Sequence, residues 1–398
     1  MKTQTPAALR QCRARRHTQP MMVALAFPPA VSHFVRVLKG VLNYARRHTR
    51  WQCIISENEH SHFDDLAGWN GDGIIGLVVS AKDLAMARSF ACPVVNISGA
   101  LADAGLPRVR PDYFAAGKLA AEHLLDRRFR CFAFDGIQGF YYSQQHKTGF
   151  LERLHALGLP VSIFETALSI RQRRPWQARR EELERWLRRL QPPVGLYCVR
   201  DERAVTVVEA CRRIGLRVPQ DVAIIGYDNN DTICELCDPP LTSITRRDEE
   251  VGFEAARLLD ALMSGRAKST AQEVVVPVGA VVLRGSTDTV SVEHPALRKA
   301  VEFMHQHYAR GIDVKEVAAH CGRSRRWLEL NARGVLPVTL RNYLNGLRMR
   351  KAKSLLVAGS DLLLKDMARV CGFSSAKHMV AVFRRLEPAS LKMLRKLL

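Results

Sequence analysis

Short apolar runs recur through the first 230 residues of the chain, and helical patterns separate them. Eight of these runs predict strands: MMVALAF, WQCIIS, GIIGLVVS, PVVNIS, CFAFDG, VSIFETA, VGLYCV and VAIIGYD. They are apolar at successive positions, which is typical of parallel strands buried on both faces. Because the intervening segments have amphipathic helical spacing, the pattern predicts a doubly wound α/β fold. Eight strands in about 200 residues suit two lobes better than one sheet.

The strand signals end near Thr287, and this change divides the chain. We predict a basic disordered tail at 1–20, a two-lobed α/β domain at 21–287 and a linker at 288–295. From 296 to 398 the apolar spacing is helical throughout, which predicts an all-α domain.

Positive charge is concentrated in this last segment. Residues 295–398 contain 21 basic and 7 acidic side chains, a net charge of +14. The preceding 294 residues contain 39 basic and 32 acidic side chains, a net charge of +7. Such an excess predicts a polyanionic partner. A solvated basic face is the alternative reading of composition alone.

One eight-residue pattern occurs twice in the basic segment, as VAAHCGRS from Val317 and as MARVCGFS from Met367. In each copy a glycine can end one helix, and a serine, either Ser374 or Ser375 in the second copy, can cap the next. A helix, a tight turn and a capped second helix predict a helix-turn-helix, so the segment carries two.

An apolar stripe between the two copies predicts one long helix from Leu340 to Val357, roughly 27 Å in length. A rod of this kind can hold two reading helices in successive major grooves of double-stranded DNA, which lie roughly 34 Å apart. Side chains at the start of each reading helix are the predicted DNA contacts, although each could equally face phosphate or solvent. They are Ser324, Arg325, Arg326 and Glu329 in the first copy, and Ser375, Lys377, His378, Arg384 and Arg385 in the second.

The segments SRRWLE, LRMRKAKSLL and CGFSSAKHMVAVFRR make residues 296–398 similar to the DNA-binding domain of AraC-type transcriptional regulators. The chain departs from that pattern at Ala332 and in the ending EPASLKMLRKLL. These departures leave open an alternative, a sugar-binding protein whose C-terminal helical domain is degenerate and non-regulatory.

The first domain resembles the sensor of lac-repressor-type regulators, which has the fold of periplasmic sugar-binding proteins. The similarity rests on RDERAVTVVEACRRIGLRVPQDVAIIGYDN and the following PPLTSI. It implies lobe crossovers near Asp112, Leu241 and Gln272, and His146 stands where that family has an arginine. In open parallel sheets ligands bind beyond the carboxyl ends of strands. Asp201 and Asp228 follow such strands and are therefore predicted ligand contacts, and Tyr141 and Tyr142 offer ring faces to a sugar. His146 joins the predicted contacts because the resemblance implies a ligand residue at its position.

A sensor of this kind ahead of an AraC-type domain is the layout of xylose-operon regulators. The resemblance implies a monosaccharide effector such as xylose, a homodimer and control of carbohydrate-metabolism genes. It favours activation, which requires contact with RNA polymerase. Whether Asp201 and Asp228 contact the effector or cap local turns stays open at this stage.

Other motifs argue against catalysis, cofactors and metals. GDGIIG leads into a strand instead of a helix, so it predicts no dinucleotide site. His305 and His307 lie on different faces of a helix, which is wrong for one metal ion. The ten scattered cysteines, the lack of a secretory signal and the lack of a membrane-spanning run predict a reducing, cytoplasmic compartment.

Overall fold

The protein is described from a computed structural model over residues 20–29, 31–55, 63–167, 175–267, 272–289, 292, 294–333, 335–336, 338–357 and 362–386. The chain forms two compact units. The first comprises the chain up to Leu125 together with Cys131–Asp288, and the second comprises Asp126–Arg130 and the chain from Thr289. Most of the predicted tail lies outside the described residues.

The first unit contains two six-stranded sheets, which form an N-terminal and a C-terminal lobe. The strands are β1 Met21–Ala26, β2 Trp51–Ile55, β3 Gly73–Gly76, β4 Val94–Asn96, β5 Arg108–Pro111, β6 Cys131–Gln138, β7 Val161–Ala167, β8 Val194–Cys198, β9 Val222–Asp228, β10 Thr242–Thr245, β11 Glu273–Val276 and β12 Val281–Val282. The strand order is β11-β5-β4-β3-β1-β2 in one sheet and β12-β10-β9-β8-β6-β7 in the other. All pairs are parallel except β10 with β12.

All eight predicted strands are present, so the α/β fold class is confirmed. The strand β5 was missed because its sequence, RVRP, is half cationic. Arg108 and Arg110 are nevertheless buried, and both pair with Glu273 on the adjacent strand β11. A partner 163 residues away along the chain therefore allows two arginines to lie in a buried strand.

Helices connect the strands and cover the sheets. In the first unit they are α1 Ser32–His48, α2 Ala81–Ser89, α3 Tyr113–Asp126, α4 Tyr141–His155, α5 Trp176–Leu187, α6 Asp201–Arg213, α7 Asp231–Leu236 and α8 Asp248–Met263. Helix α8 packs in the N-terminal lobe, where Val251 and Ala255 share a core with Val23 and Leu25 of β1.

The chain crosses between the lobes three times. The first crossing lies at Asp112, between β5 and α3, as expected. The other two lie later than predicted, after Thr245 instead of at Leu241 and after Val276 instead of at Gln272. The reason is that LTSI and EVVV each complete one further strand, β10 and β11, before the chain leaves that lobe.

The second unit is helical over its described residues, apart from one isolated bridge between Arg333 and Leu336. Its α-helices are α9 Pro295–His307, α10 Val314–His320, α11 Arg325–Ala332, α12 Leu340–Val357, α13 Leu364–Val370 and α14 Ala376–Leu386. Within the described part of the chain, no helix combines the length and the apolar character that a membrane span requires.

Helix α12 is the long helix that the apolar stripe predicted, and it belongs to two small cores. Its first half contributes Leu340 and Leu344 to the core that contains α10 and α11. Its second half contributes Met349 and Ala352 to the core that contains α13 and α14. One continuous helix therefore fixes the spacing of the two helix-turn-helix motifs.

The two motifs turn at Gly322 and Gly372, whose φ angles are +64° and +82°. In both turns the glycine and the following residue donate N–H hydrogen bonds to carbonyls of the preceding helix. The turns differ in their surroundings. A side chain at Gly322 would meet no atom within 4 Å, whereas a Cβ at Gly372 would lie 2.0 Å from the carbonyl oxygen of Tyr308.

This difference predicts unequal costs for two matched substitutions. Gly322→Ala should lose roughly 1–2 kcal/mol of unfolding free energy, because alanine is strained at positive φ. Gly372→Ala should lose roughly a further 1–3 kcal/mol, because the backbone of Tyr308 must also move. Scanning calorimetry of the full chain would measure both, and equal losses would contradict the packing of this turn.

Candidate functional site

Asp201 and Asp228 lie close together at the carboxyl ends of β8 and β9, as the parallel sheet predicted. The Asp201 carboxylate is fully buried and accepts hydrogen bonds from Ser243 Oγ at 2.6 Å and from the Asn230 backbone N–H at 2.8 Å. The Cys234 thiol lies 3.4 Å from the same carboxylate. Burial, followed by the nearby charge of Asp228, raises the pKa of Asp201 to about 7. With its oxygens already engaged, Asp201 positions the Asn230 loop.

Asp228 is the more accessible of the two carboxylates, although only 6% of its surface is exposed. Its Oδ1 accepts a hydrogen bond from Arg246 at 3.0 Å, and its Oδ2 lies 3.9 Å from Arg200 Nε. Burial raises the pKa of Asp228 to about 6, against the opposing effect of the two arginines. Its φ is +116°, an unusual conformation for a residue other than glycine, and such backbone strain is common at functional sites.

A chain of ion pairs connects this carboxylate with the other lobe. Arg246 Nε donates to Asp248 Oδ1 at 2.8 Å, and Asp248 Oδ2 lies 2.8 Å from Arg36 Nη2. Arg36 also donates to the backbone carbonyl of Asp228 at 3.2 Å. Arg36 lies on α1 of the N-terminal lobe, so the chain Arg36–Asp248–Arg246–Asp228 joins the two lobes at the cleft between them.

His146 is fully buried in a cluster of tyrosine rings. Its Nδ1 is 2.7 Å from the Tyr197 hydroxyl, and its ring centroid is 4.5 Å from that of Tyr227 and 5.2 Å from that of Tyr113. Burial, followed by the charge of Arg246, lowers the pKa of His146 to about 3, so the imidazole is neutral. Its Nε2 is buried and has no hydrogen-bond partner among the described residues.

The two predicted tyrosines have different surroundings. The ring of Tyr141 lies 5.7 Å from the guanidinium of Arg108 and 5.8 Å from that of Arg110, so it packs on the N-terminal lobe. The ring of Tyr142 is partly buried and lies 5.8 Å from that of Tyr113. Tyr142 therefore remains the better placed of the two to offer a ring face to a ligand.

Sequence reasoning missed His33, Arg36 and Arg246. The pKa of His33 is lowered to about 2, first by burial and then by the charges of Arg246, Arg200 and Arg36, so this imidazole is also neutral. The charged run RRD that follows β10 was the available signal for Arg246 and Asp248. No local pattern distinguishes His33 or Arg36 from ordinary surface residues of an amphipathic helix.

In the second unit, the first reading helix is α11, and its cap is the predicted one. Ser324 Oγ accepts a hydrogen bond from the Trp327 backbone N–H at 3.1 Å. Arg325 and Arg326 are exposed. Arg325 Nε donates to Glu329 Oε1 at 2.8 Å, while Arg326 has no ion-pair partner within the described residues.

The second reading helix is α14, and it begins one residue later than the sequence repeat suggests. Ser375, and not Ser374, accepts the hydrogen bond from the His378 backbone N–H, at 3.1 Å. The Ser374 hydroxyl instead lies 3.0 Å from His378 Nδ1. The two serines that are 50 residues apart in the repeat therefore have different roles.

The cationic side chains of α14 are largely exposed. Lys377 and Arg384 are exposed and have no ion-pair partner in the part of the chain that the structure describes. Arg385 is also exposed and donates to Asn342 Oδ1 at 3.0 Å. Burial, followed by nearby arginines including Arg385, lowers the pKa of His378, which keeps its imidazole neutral.

One arginine of the basic segment has a structural role that the sequence did not reveal. Arg348 on α12 is buried and donates to the Tyr308 carbonyl at 3.1 Å and to the Ile312 carbonyl at 2.6 Å. Burial lowers the pKa of this guanidinium. Arg348 therefore ties the central helix to the segment between α9 and α10.

Comparison with known protein families agrees with the division of the chain into an α/β unit and a helical unit. A periplasmic binding protein-like domain matches residues 121–287, and a helix-turn-helix domain matches residues 317–396. The xylose operon regulatory protein of Escherichia coli K12 is 26% identical over 379 residues, which cover 92% of this chain and 95% of the relative. The xylose operon regulatory protein of Haemophilus influenzae is 25% identical over 371 residues, which cover 91% of this chain and 95% of the relative.

A solved structure described as the xylose-binding transcription activator xylR has the same fold. It is 24% identical and superposes with a TM-score of 0.73, covering 95% of this chain and 98% of that one. These relatives are regulators and not enzymes. The chain is therefore similar over nearly its whole length to xylose operon regulatory proteins, and it is a DNA-binding transcriptional regulator in which a periplasmic binding protein-like sensor domain precedes a helix-turn-helix domain.

Proposed function

We propose that the cleft between the two lobes binds a monosaccharide, with a pentose such as xylose as the first choice. The observation that carries this proposal is the Asp228 carboxylate, 6% exposed at the end of β9 and held by Arg246 and Arg200, with two neutral imidazoles near Arg246. A carboxylate accepts hydrogen bonds from hydroxyl groups, and a neutral imidazole can both donate and accept them, which suits an uncharged polyol. The names of the relatives, which are xylose operon regulatory proteins, support the same class of effector.

The five predicted ligand residues divide into two roles in this proposal. Asp228, His146 and Tyr142 contact the sugar, and His146 Nε2, which has no hydrogen-bond partner among the described residues, is one polar contact. Asp201 and Tyr141 shape the site from behind, because their polar atoms or ring faces already have protein partners. His33 joins the contacting group from the N-terminal lobe.

We propose that the reading helices α11 and α14 bind successive major grooves of an operator. Arg325, Arg326 and Glu329 face base edges in the first groove, and Lys377 and His378 face them in the second. Arg384 and Arg385, farther along α14, contact phosphates. Ser324 and Ser375 cap these helices next to the backbone of the DNA.

The regulatory cycle follows from these two sites. We propose that sugar binding favours one arrangement of the lobes and that this changes how two protomers of a homodimer present their DNA-binding domains. The proposed boundaries are 21–287 for the sensor, 288–295 for the linker and 296–398 for the DNA-binding domain. Activation through RNA polymerase, in the cytoplasm, completes the proposal.

The effector proposal predicts a pH-dependent affinity. D-xylose should raise the melting temperature of the full chain and bind more tightly as the pH rises through about 6, where Asp228 becomes charged. Asp228→Asn should weaken binding roughly 10- to 100-fold at pH 7.5 and flatten this pH dependence, because it removes a charged acceptor. Isothermal titration at pH 5 and pH 7.5 measures both effects.

Asp231→Asn is the matched control, since Asp231 is an exposed carboxylate three residues away. It should leave xylose affinity within a factor of about 3, as expected for a side chain outside the contacts. If Asp228→Asn and Asp231→Asn bind xylose equally well, Asp228 is not a sugar contact.

The DNA proposal predicts a loss of affinity for the DNA upstream of the protein's own gene. Arg326→Ala and Lys377→Ala should each weaken binding roughly 10- to 100-fold at constant salt, because each removes a base contact. A mobility-shift assay with specific and scrambled duplexes measures the change.

The matched control is Lys299→Ala, which removes an exposed cation from α9, outside both reading helices. This variant should bind nearly as well as the unchanged chain. Losses that are equal for all three variants, and equal on scrambled DNA, would indicate attraction by general charge alone.

A further inference from the structure

The C-terminal lobe contains a cavity of about 380 Å³ that the sugar cleft does not account for. It lies between helices α5 and α6 and the strands β6 and β7. Its volume is within the range of small-molecule sites. Its charged lining residues are five arginines and two acidic residues, namely Arg179, Arg180, Arg200, Arg203, Arg213, Asp135 and Glu202.

Only part of this positive charge is neutralised by the protein. Arg203 Nε donates to Asp135 Oδ2 at 2.7 Å, Arg213 Nε donates to Glu184 Oε1 at 2.9 Å, and Arg200 Nε lies 3.3 Å from Glu202 Oε2. Arg179 has no carboxylate partner within the described residues, and its buried Nε has no hydrogen-bond acceptor there. A buried donor without an acceptor is unfavourable, so an acceptor supplied from outside would be stabilising.

Arg180 adds a second guanidinium with an unused donor. Its buried Nε makes no hydrogen bond within the described part of the chain, and the nearest carboxylate, that of Glu184, is 3.7 Å away. The guanidinium lies 4.8 Å from the ring centroid of Trp176, and this tryptophan is 65% exposed. An exposed tryptophan at the edge of a cationic cavity can stack on the non-anionic part of a ligand.

We propose that this cavity is a second ligand site, which binds a small organic phosphate such as a phosphorylated sugar. Guanidinium groups match the oxygens of a phosphate through paired N–H donors, and several of them can share one phosphate. The cavity differs in chemistry from the cleft, where neutral imidazoles accompany a carboxylate. A charged metabolite and a neutral sugar are therefore recognised at different places in the same lobe.

Arg200 connects the two sites. It lines the cavity, and its Nε lies 3.9 Å from Asp228 Oδ2 at the cleft. A phosphate that attracts the Arg200 guanidinium changes the charge around Asp228. By thermodynamic linkage, each ligand then alters the affinity for the other. This coupling, unlike the site itself, rests on the proposed function of the cleft.

Calorimetric titration of the full chain with ribose 5-phosphate, inorganic phosphate and free ribose tests the site. We expect saturable binding of ribose 5-phosphate, at least tenfold weaker binding of inorganic phosphate, and no competition between free ribose and ribose 5-phosphate. Arg179→Gln combined with Arg180→Gln should weaken ribose 5-phosphate binding at least tenfold. Arg185→Gln, which removes an exposed arginine of the same helix outside the cavity, should leave it unchanged.

Trp176→Ala provides a variant of an exposed residue, for which circular dichroism should show unchanged folding. This variant should weaken the binding of ribose 5-phosphate but not the binding of inorganic phosphate. Asp228→Asn should retain phosphate binding, which separates this site from the sugar cleft. The proposal is overturned if ribose 5-phosphate does not bind at millimolar concentration. It is also overturned if Arg185→Gln weakens ribose 5-phosphate binding as much as the double variant does, or if Asp228→Asn abolishes that binding.

Discussion

The sensor domain depends on four charged side chains that meet between its lobes, two of them buried carboxylates, Asp228 and Asp248, and two of them partly buried arginines, Arg36 and Arg246. Isolated charges are expensive to bury, and they are tolerated only when they are paired and hydrogen-bonded. Here Arg36, Asp248, Arg246 and Asp228 alternate in sign, with contacts of 2.8 to 3.0 Å. Removal of any one of them takes an ion-pair partner from at least one of the other three. The chain therefore fixes the cleft and, through Asp248, the start of the helix that follows the second lobe crossing.

This arrangement explains why the two sites of the C-terminal lobe differ in character. The charges at the cleft are largely balanced, and the remaining polar groups are neutral imidazoles that suit hydroxyl groups. Arg200 also lines the cavity between α5 and α6. In that cavity, Nε of Arg179 and Nε of Arg180 lack hydrogen-bond acceptors within the described residues. In the proposed scheme, Arg200 at the boundary couples the binding of the two ligands.

The second unit uses a different constraint, the continuity of one helix. Because α12 contributes to both small cores, neither helix-turn-helix can shift along it without breaking packing in its own half. The turn at Gly372 lies against the Tyr308 carbonyl, in the segment between α9 and α10, and Arg348 ties α12 to the same segment. The two helix-turn-helix motifs are therefore packed on one continuous helix, as the proposed binding to two successive grooves requires.

Much of this could be predicted from local patterns. The eight strands, the long helix α12 and both glycine turns follow from hydrophobic periodicity and from the conformational preference of single residues. The strand β5 could not be predicted, since its arginines are tolerated only because Glu273 lies beside them. The cap at Ser375 was left open between two adjacent serines, because only the path of the backbone decides which hydroxyl faces the N–H groups.

The sequence by itself determined the fold class, the two helix-turn-helix motifs and the presence of Asp201 and Asp228 at strand ends, since all of these depend on neighbours along the chain. Tertiary structure alone decided that Asp201 is saturated by protein donors, that Tyr141 packs on arginines, and that His33 and Arg36 lie at the cleft. The physical reason is separation: Arg36 and Asp248 are 212 residues apart, and no local pattern encodes a contact of that kind.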